Sequence, residues 1–224
     1  AEINAADPTW IPQNWVMRNY EKLMTMRSAP LFEIAVGGYK LVGPRIPAAL
    51  KWLGNTVFMA VVSMIITCAT AAMAGYALAK KKFYGKTILF GLIICAMALP
   101  KQVILVPLVR LMSDFELYDT IWAVILPIVG WPFGVFLLKQ FSEGIPTEMI
   151  EAARIDGAGE LRTFTDVALP MIKPGIGALA IFTFISSWND YFMQLIMLTS
   201  SKNLTISLGI ATMQGEVVVD YGLL

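Results

Sequence analysis

Histidine is absent from this sequence of 224 residues, and only two cysteines are present. Since histidine is the commonest general acid–base residue and a frequent metal ligand, its absence excludes Ser-His-Asp triads and histidine metal sites. Cys68 and Cys95 lie in apolar stretches, are too few for a zinc cluster, and are interpreted as buried thiols that pack like small hydrophobic side chains. We therefore expect a chain that is not an enzyme and has no metal site of its own.

Charged residues are also scarce, at 15% of the chain, against about 25% in soluble proteins. The 17 basic and 16 acidic residues give a net charge of +1, which indicates no nucleic-acid partner. Apolar residues are abundant instead, at 57% of the chain, and the mean hydropathy is +0.67. A typical soluble domain has about 45–50% apolar residues, so the composition predicts a membrane protein surrounded by lipid.

Four long apolar runs determine the expected architecture, and the only charged residues within them are Lys101 and Asp190. The runs are residues 52–79, 87–109, 120–138 and 174–198. A helix needs about 20 mostly apolar residues to cross a hydrocarbon core of about 30 Å. The runs lack the strict alternation of barrel strands. The sequence therefore predicts four membrane-spanning helices.

Basic residues predict the orientation of these helices. Segment 80–86 contains four lysines, whereas 113–119 contains three acidic residues and no basic one. Because cytoplasmic loops carry an excess of lysine and arginine, we expect 80–86 and, by alternation, 139–173 in the cytoplasm. Residues 1–50 and 199–224 then lie outside, and the prolines of 1–50 predict short helical pieces and turns rather than a domain.

Prolines interrupt the second and third apolar runs. They are Pro100, Pro107, Pro127 and Pro132. Each removes a backbone hydrogen bond, which membrane helices tolerate when neighbouring groups or water satisfy the freed carbonyl. Two interpretations stay open, namely helices that bend around a cavity and static kinks. Gly130 and Gly134 form a GxxxG pattern, which lets another helix approach closely. Because Pro132 lies between the two glycines, a helix that is opened or kinked at the proline is the competing interpretation.

The segment between the third and fourth runs predicts a helical hairpin. Pro146 suits a first helical turn, and Gly157 suits the left-handed residue that ends a helix, which gives an 11-residue helix over 146–156. A second short helix then ends at Pro170. One face of the first helix carries Met149, Ala152, Ala153 and Asp156. Its two alanines form a narrow patch that another protein can approach closely.

This segment resembles the EAA loop of ABC importer permeases. The matching residues are Glu151, Ala152, Ala153, Gly157, Val167, Leu169 and Pro170, with valine where isoleucine is commoner. The longer stretch 151–158 is similar to the carbohydrate branch, closest to the second permease of maltose-type importers (MalG-like). Residues 188–191, Trp-Asn-Asp-Tyr, also agree, and the resemblance extends over nearly the whole chain.

The resemblance implies an all-α membrane protein with the type I ABC importer transmembrane domain, a MetI-like helical bundle. Such permeases usually have six spans, and this chain matches the middle four, so we expect the first and last helices to be missing. The expected domains are an extracytoplasmic segment 1–50, a transmembrane helical domain 51–198 with a cytoplasmic coupling hairpin 141–170, and an extracytoplasmic loop 199–224 before the missing last helix.

The resemblance also implies a function and a set of partners. The chain is expected to form the path for a sugar or related polyhydroxylated solute across the bacterial inner membrane, together with a second homologous permease. It needs no cofactor itself, because ATP and Mg²⁺ bind two cytoplasmic ATPase subunits, and an extracytoplasmic solute-binding protein delivers the solute. The residues implied to couple to the ATPase subunit are Met149, Glu151, Ala152, Ala153, Asp156, Gly157, Leu169 and Pro170.

The two charges within the apolar runs predict a polar cavity. An ionised residue in a membrane span costs about 2.5–3.5 kcal/mol unless it is paired or hydrated. We expect Lys101 and Asp190 to face a polar cavity near Gln102, Asn189 and Gln194, paired directly or through water, on the translocation path. The alternative is that kinks bring both charges to the membrane surface, where they anchor the helices.

The last segment carries a further expectation, a contact with the solute-binding protein. The residues concerned are Thr212, Met213, Gln214, Gly215 and Glu216. Glycines at 209, 215 and 222 would let this loop adapt its shape. A plain connector between two helices is the alternative.

Other functional classes fit the sequence less well. A stand-alone secondary transporter or channel would have internal repeats and intramembrane carboxylates, and only Asp190 qualifies. An intramembrane enzyme would need a nucleophile with a base, or metal ligands, within the spans. A permease of the same class for a non-sugar solute stays open. Copurification with a nucleotide-binding subunit would separate the importer permease from the first two.

Overall fold

The computed structural model describes residues 21, 24–25, 27–36 and 39–214. Short β-strands precede the long helices: β1 (Ser28–Pro30), β2 (Glu33–Val36), β3 (Tyr39–Val42) and β4 (Arg45–Pro47). β1 pairs antiparallel with β4, and β2 with β3. The expectation of helical pieces and turns is therefore wrong for 28–47. The sequence does contain a signal for strands here, because a Gly-Gly pair between two runs rich in apolar residues favours a β-hairpin.

Helices follow the strands. They are α1 (Ala48–Lys80), α2 (Lys86–Met97), α3 (Lys101–Asp114), α4 (Ile121–Val129), α5 (Pro132–Glu143), α6 (Thr147–Ile155), α7 (Glu160–Met171), α8 (Lys173–Asn189), α9 (Tyr191–Met197) and α10 (Ile206–Gln214). The centre of α7, Thr163–Ala168, is a π-helical stretch. Helices thus account for most of the described chain, as the sequence predicts.

Two helical segments are long and apolar enough to cross a membrane, α1 and the continuous segment Ile121–Glu143 that contains α4 and α5. At about 1.5 Å per residue, the 33 residues of α1 extend about 50 Å. Two bent pairs also pass the same test, α2 with α3 at 103° and α7 with α8 at 76°. Counting each bent pair as one span gives four spans, the predicted number, although the last pair covers 160–189 and the predicted fourth span is 174–198.

The second apolar run is not the single helix that the sequence predicts. It breaks between Met97 and Lys101, at Pro100, and α3 leaves α2 at 103°. Proline has no backbone N–H and disfavours helical geometry in the preceding residue, so the helix ends before it. The fourth run is also interrupted, because α8 ends at Asn189 and α9 begins at Tyr191.

Helix α1 is the centre of the bundle and packs against α4, α5 and α8. Its hydroxyl groups support the junction between α4 and α5. Pro132 cannot donate a hydrogen bond to the carbonyl four residues earlier, that of Ile128. This carbonyl accepts instead from the N–H of Trp131 at 3.1 Å and from Thr67 Oγ1 at 3.3 Å, and Thr70 Oγ1 donates to the carbonyl of Val129 at 3.2 Å. Hydroxyl groups of a neighbouring helix thus help to satisfy the carbonyls at this junction.

Two clusters of buried side chains fill the bundle. One contains Trp52, Met59, Val124, Met197 and Leu208, and the other contains Ala71, Tyr76, Leu138, Ile172 and Leu179. Cys68 belongs to the second cluster, as predicted, but Cys95 is exposed on α2. The expectation of a buried thiol is therefore wrong for Cys95. An apolar stretch predicts a membrane environment, and it does not predict which face of the helix the bundle covers.

Asp119 joins the α3–α4 connection to the α9–α10 connection. Its backbone takes a positive φ of 60°, and Oδ1 accepts hydrogen bonds from the backbone N–H groups of Thr199 and Ser200, both at 2.8 Å. The Ser200 hydroxyl donates to Oδ2. Burial opposes ionisation, but these hydrogen bonds from Ser200 and Thr199 outweigh it and lower the pKa of the Asp119 carboxyl.

We expect Asp119→Asn to lower the free energy of unfolding at neutral pH by about 1–2 kcal/mol, since hydrogen bonds to a charged group are the stronger ones. Asparagine tolerates a positive φ, so the variant changes mainly the charge. Because the folded pKa is lowered, the stabilisation is present above the unfolded value of about 3.9 and is lost as the pH falls through the folded value. Thermal unfolding of the purified protein at several pH values measures this.

The exposed Asp114, at the end of α3, provides a matched control for that measurement. Asp114→Asn is expected to change the midpoint of unfolding little. Equal effects of the two substitutions would contradict a specific role of Asp119.

Candidate functional site: a glycine-stopped hairpin and a cavity beside an ion pair

The predicted helical hairpin is present. Helix α6 runs from Thr147 to Ile155, one residue shorter at each end than predicted, and Pro146 precedes it. Gly157 has a φ of +80°, the left-handed conformation that the sequence predicts. The N–H of Gly157 donates to the carbonyl of Arg154 at 3.0 Å, and the N–H of Ala158 donates to that of Ala153 at 2.9 Å. This is a Schellman motif, which ends the helix and fixes the direction of the following chain.

The outer surface of the hairpin exposes large apolar side chains. Met149 is 46% exposed, Ile155 87% and Leu161 75%. Ala152 is exposed and Ala153 is half-buried, so the predicted alanine patch is accessible in part. The sequence interpretation missed Ile155 and Leu161, although apolar residues on both sides of a glycine turn are a readable signal. The remaining predicted coupling residues are exposed, except for the half-buried Leu169: Glu151, Asp156, Gly157 and Pro170.

The hairpin is attached firmly to the end of α1. Lys80 Nζ donates to the carbonyls of Glu143 at 3.1 Å and Ile145 at 2.6 Å, just before α6. Lys81 forms an ion pair with Glu160, at the start of α7. Burial, and secondarily the nearby Arg154, lower the pKa of the Lys81 ammonium. From the sequence, Lys80 and Lys81 are interpreted only as cytoplasmic charge. In the structure they also connect the hairpin to the bundle.

Side-chain packing also holds the hairpin against the bundle. Ile150 of α6 is 5% exposed and belongs to the same buried cluster as Tyr76 and Ile172. The ring of Phe164, in the π-helical stretch of α7, lies 5.3 Å from that of Tyr76. Pro170 explains the irregular helix, because it cannot donate to the carbonyl four residues earlier. π-helical turns are frequent at functional sites, and here the turn places an aromatic anchor against α1.

The two charges of the apolar runs form an ion pair. Lys101 Nζ lies 3.6 Å from Asp190 Oδ2, which is the direct one of the two pairings, direct or through water, that the sequence left open. Each residue lies at a break between helices. Lys101 is the first residue of α3, directly after the bend at Pro100, and Asp190 separates α8 from α9. Asp190 Oδ1 also accepts a hydrogen bond from the N–H of Met193, which caps α9.

A cavity of about 350 Å³ lies beside this ion pair. Its wall comes from α2, α3, the α4–α5 junction, α8 and α9 and is mostly apolar, so the prediction of a polar cavity is wrong for most of the wall. The polar groups in the wall are Lys101, Asp190, Ser186 and Ser187, and Trp131 contributes an aromatic ring. The bend at Pro100 and the α4–α5 junction border this space, which favours the interpretation of a helix that bends around a cavity.

The other predicted cavity residues lie outside this wall. Gln102 and Asn189 are exposed, and Asn189 Nδ2 donates to the carbonyl of Ile185 at 2.9 Å. Gln194 is fully buried, donates to the carbonyl of Ser187 at 3.2 Å and accepts from the Thr205 hydroxyl at 2.5 Å. The sequence placed these three near the ion pair by proximity along the chain, which does not predict the face of the helix on which a side chain lies.

The predicted binding-protein contact is helical where it is described. Thr212 and Met213 lie in the last turn of α10, Gln214 is its final residue, and Gly215 and Glu216 lie outside the described residues. The start of α10 is held by α1, since the Thr56 hydroxyl accepts from the N–H of Ile206 at 2.9 Å. A helix secured at its start replaces the adaptable loop that the sequence predicts for this stretch.

One protein family matches most of the chain. The model of the family described as "Binding-protein-dependent transport system inner membrane component" matches residues 67–223. A crystal structure of a bacterial ABC transporter involved in the import of the acidic polysaccharide alginate superposes with a TM-score of 0.68 at 23% identity, covering 78% of this chain and 62% of that one. This likeness concerns the fold.

Individual relatives are similar over shorter or longer stretches. The arabinooligosaccharides transport system permease protein AraQ of Halalkalibacterium halodurans is 36% identical over 162 residues, 72% of this chain and 58% of that protein. The diacetylchitobiose uptake system permease protein NgcG of Streptomyces coelicolor is 30% identical over 98% of this chain and 67% of that protein. The chain thus spans 58% and 67% of the lengths of these two relatives.

Proposed function

Since the chain belongs to the family of binding-protein-dependent transport system inner membrane components, we propose that it is a permease subunit of an ATP-driven importer for a sugar or related polyhydroxylated solute. It is an integral membrane transport component with the MetI-like helical fold that the sequence predicts, to which the structure adds four short strands. The family consists of non-catalytic transport components, so we place ATP hydrolysis in partner subunits. Assignment to the second, MalG-like permease stays a prediction.

Relatives support the choice of a sugar. Two proteins at 36% and 30% identity are named for arabinooligosaccharides and for diacetylchitobiose. Both are chains of linked sugar rings, rich in hydroxyl groups. A permease that carries such a solute needs hydrogen-bond donors and acceptors along its path, together with surfaces for the apolar faces of the rings.

The glycine-stopped hairpin is the single observation that carries the coupling role. Residues 146–157 project a rigid helix with exposed apolar side chains, and Lys80 fixes the base of that helix to α1. We propose that this helix docks into a cleft of a cytoplasmic ATPase subunit, which binds ATP and Mg²⁺. Closure of two such subunits would push the hairpin, and Lys80 and Ile150 would transmit the movement to α1.

The Lys101–Asp190 pair supports a translocation path through this part of the bundle. Discontinuous helices in the membrane form the binding sites of many transporters, because their ends present unpaired backbone groups and charges to the solute. Both charges lie at such breaks and border the cavity. We propose that a second permease covers this face, and that an extracytoplasmic solute-binding protein delivers the solute near the end of α10.

Reconstitution tests the proposed function directly. The complete permease would be coexpressed with the ATPase subunits, the second permease and the binding protein encoded in the same organism, purified, and placed in proteoliposomes. We expect copurification and ATP-dependent uptake of labelled arabinooligosaccharide or diacetylchitobiose. Failure to assemble with an ATPase subunit would contradict an importer, and uptake of non-sugar solutes alone would contradict the sugar assignment.

Cysteine labelling tests the path. In a background without Cys68 and Cys95, Lys101→Cys and Asp190→Cys are expected to react with a small charged thiol reagent added from outside in one state of the ATP cycle. Val106→Cys, on α3 but outside the cavity wall, is the control, because its 80% exposed apolar side chain is expected to face lipid or a partner helix. If positions 101 and 190 never react, or react no faster than 106, the path lies elsewhere.

A further inference from the structure

We propose that Trp131, Ser187 and the Lys101–Asp190 pair form a subsite in this chain that holds one ring of a neutral sugar. The inference rests on the proposed function, and it adds where the solute is held and which class of sugar fits. The cavity volume of about 350 Å³ lies within the range of about 300–1,000 Å³ typical of small-molecule sites. Such sites combine an apolar wall with few polar groups, which is the composition of this cavity.

Trp131 supplies an aromatic surface at a fixed position. It precedes α5 at the α4–α5 junction and is half-buried in the cavity wall. Its ring lies 5.1 Å from that of Phe133, and Phe133 in turn packs edge-on against Phe182 of α8 at 5.9 Å. These contacts restrict the orientation of the indole. A large, rigid aromatic ring can pack against the C–H face of a sugar, which is apolar, at small entropic cost.

The ion pair supplies hydrogen-bonding groups next to this ring. Lys101 Nζ lies 6.0 Å from the centroid of the Trp131 ring and 3.6 Å from Asp190 Oδ2. An ammonium only donates hydrogen bonds and a carboxylate only accepts them, whereas a sugar hydroxyl does both. Two neighbouring hydroxyls could therefore bind the two charges at once. This combination does not favour a purely apolar ligand.

Ser187 supplies an unused hydroxyl in the same wall. Its side chain is fully buried, and Oγ has no hydrogen-bond partner within the described part of the chain. Among the buried hydroxyls of the described residues that share this property, Ser187 alone lines the cavity. Buried polar groups in folded proteins nearly always have a partner, and an exception calls for an explanation. A hydroxyl of a bound sugar would be such a partner once a shift of the cavity wall uncovers Oγ, which solvent does not reach in this conformation.

The balance of charge indicates a neutral sugar. Lys101 and Asp190 are the charged residues of the wall within the described chain, and their charges cancel. An acidic sugar would gain from the lysine and lose against the carboxylate, and a cationic solute would meet the reverse. A neutral ring can bind both groups without a net electrostatic cost.

Direct binding to the complete, purified permease–ATPase complex tests the subsite. The probe is radiolabelled arabinooligosaccharide or diacetylchitobiose, whichever the wild type transports, added without the binding protein in the nucleotide state that exposes the cavity. We expect Trp131→Ala to weaken binding at least tenfold and to slow uptake, Trp131→Phe to retain most of both, and Ser187→Ala to weaken binding severalfold. Thermal unfolding of each variant complex checks that it is folded.

Trp122→Ala is the matched control. Trp122 is 42% exposed on α4, packs edge-on against Phe58 at 6.2 Å and lies outside the cavity wall. Loss of this tryptophan is expected to leave sugar binding unchanged. If Trp131→Ala binds sugar as wild type does, or if the wild-type complex transports sugar without binding it directly, the subsite is wrong and the proposed function stands. If the wild type transports no sugar, the proposed function itself fails.

The preference for neutral sugars has its own test. Asp190→Asn leaves the charge of Lys101 without its carboxylate partner, so the variant is expected to bind a uronic acid oligosaccharide at least tenfold more tightly than the wild type does. Binding of the neutral probe should weaken severalfold. If the variant prefers neutral over acidic sugar as strongly as the wild type does, Lys101 and Asp190 do not determine this preference, and that part of the proposal is wrong.

Discussion

Replacing Gly157 with valine is expected to abolish the ATP hydrolysis that substrate and binding protein stimulate in the assembled importer. Gly157 holds a φ of +80° in the turn that ends α6. A left-handed conformation costs a residue with a side chain about 1–2 kcal/mol, and a β-branched residue is strained further. The chain relieves this strain by changing the turn. The helix end then loses its Schellman hydrogen bonds and points the hairpin in another direction.

Gly159 in the same turn allows a matched comparison. A Cβ atom would meet open space at both positions, but Gly159 has an ordinary backbone, with φ of −68° and ψ of 169°. Gly159→Val is therefore expected to retain most of the stimulation. Gly157→Asn, which tolerates the left-handed conformation, is expected to lie between the two. Because the added side chain is the same at both positions, the difference in stimulated ATP hydrolysis between the two valine variants reports the effect of backbone conformation alone.

The measurement is ATP hydrolysis by proteoliposomes that contain the complete importer, with and without substrate-loaded binding protein. Copurification of the ATPase subunit separates loss of docking from loss of signal transmission. Equal stimulation in wild type and Gly157→Val would refute a mechanical role for the turn. Equal loss in Gly157→Val and Gly159→Val would indicate that any bulk in the loop is harmful.

The hairpin was predictable because its causes are local. Pro146 favours a first helical turn and Gly157 favours a left-handed stop, whatever surrounds them. The structure places the helix and the stop within one residue of the prediction. The exposure of Ile155 and Leu161, by contrast, does not follow from local sequence, since it depends on which side of the hairpin the bundle covers.

The cavity could be predicted only in part. Its ion pair follows from a general rule, because charges within a span must find a partner or water. The single helix that the sequence predicts over 87–109 does not form, however, since α3 leaves α2 at 103°. The size of a bend at a proline depends on tertiary packing, and so do the neighbours that the bend creates. Trp131 and Ser187 therefore could not be assigned to the site from the sequence.

The close approach of α1 to α5 gives a second large expected effect, at Gly75. A Cβ atom at this position would lie 2.7 Å from the backbone nitrogen of Lys139 and 2.8 Å from the carbonyl carbon of Leu138. Backbone atoms of a helix cannot move aside as the end of a side chain can. The Gly75→Ala variant must therefore separate α1 from α5, and overpacking of this kind typically costs about 1–3 kcal/mol. For Gly75→Leu we expect no folded complex.

Gly54, on the same helix, provides the control, because a Cβ atom there would have no neighbour within 4 Å. Gly54→Ala is expected to raise stability by up to about 1 kcal/mol through the better helix propensity of alanine. Thermal unfolding of the purified complex should therefore give opposite shifts of the unfolding midpoint, with that of Gly75→Ala lowered by about 2–12 °C. Since α5 leads directly to the carbonyls that Lys80 holds, Gly75→Ala should also weaken stimulated ATP hydrolysis at temperatures where the complex is still folded. Equal unfolding midpoints for the two alanine variants would mean that α1 and α5 are not in tight contact. The movement of the hairpin would then have to reach α1 through other contacts.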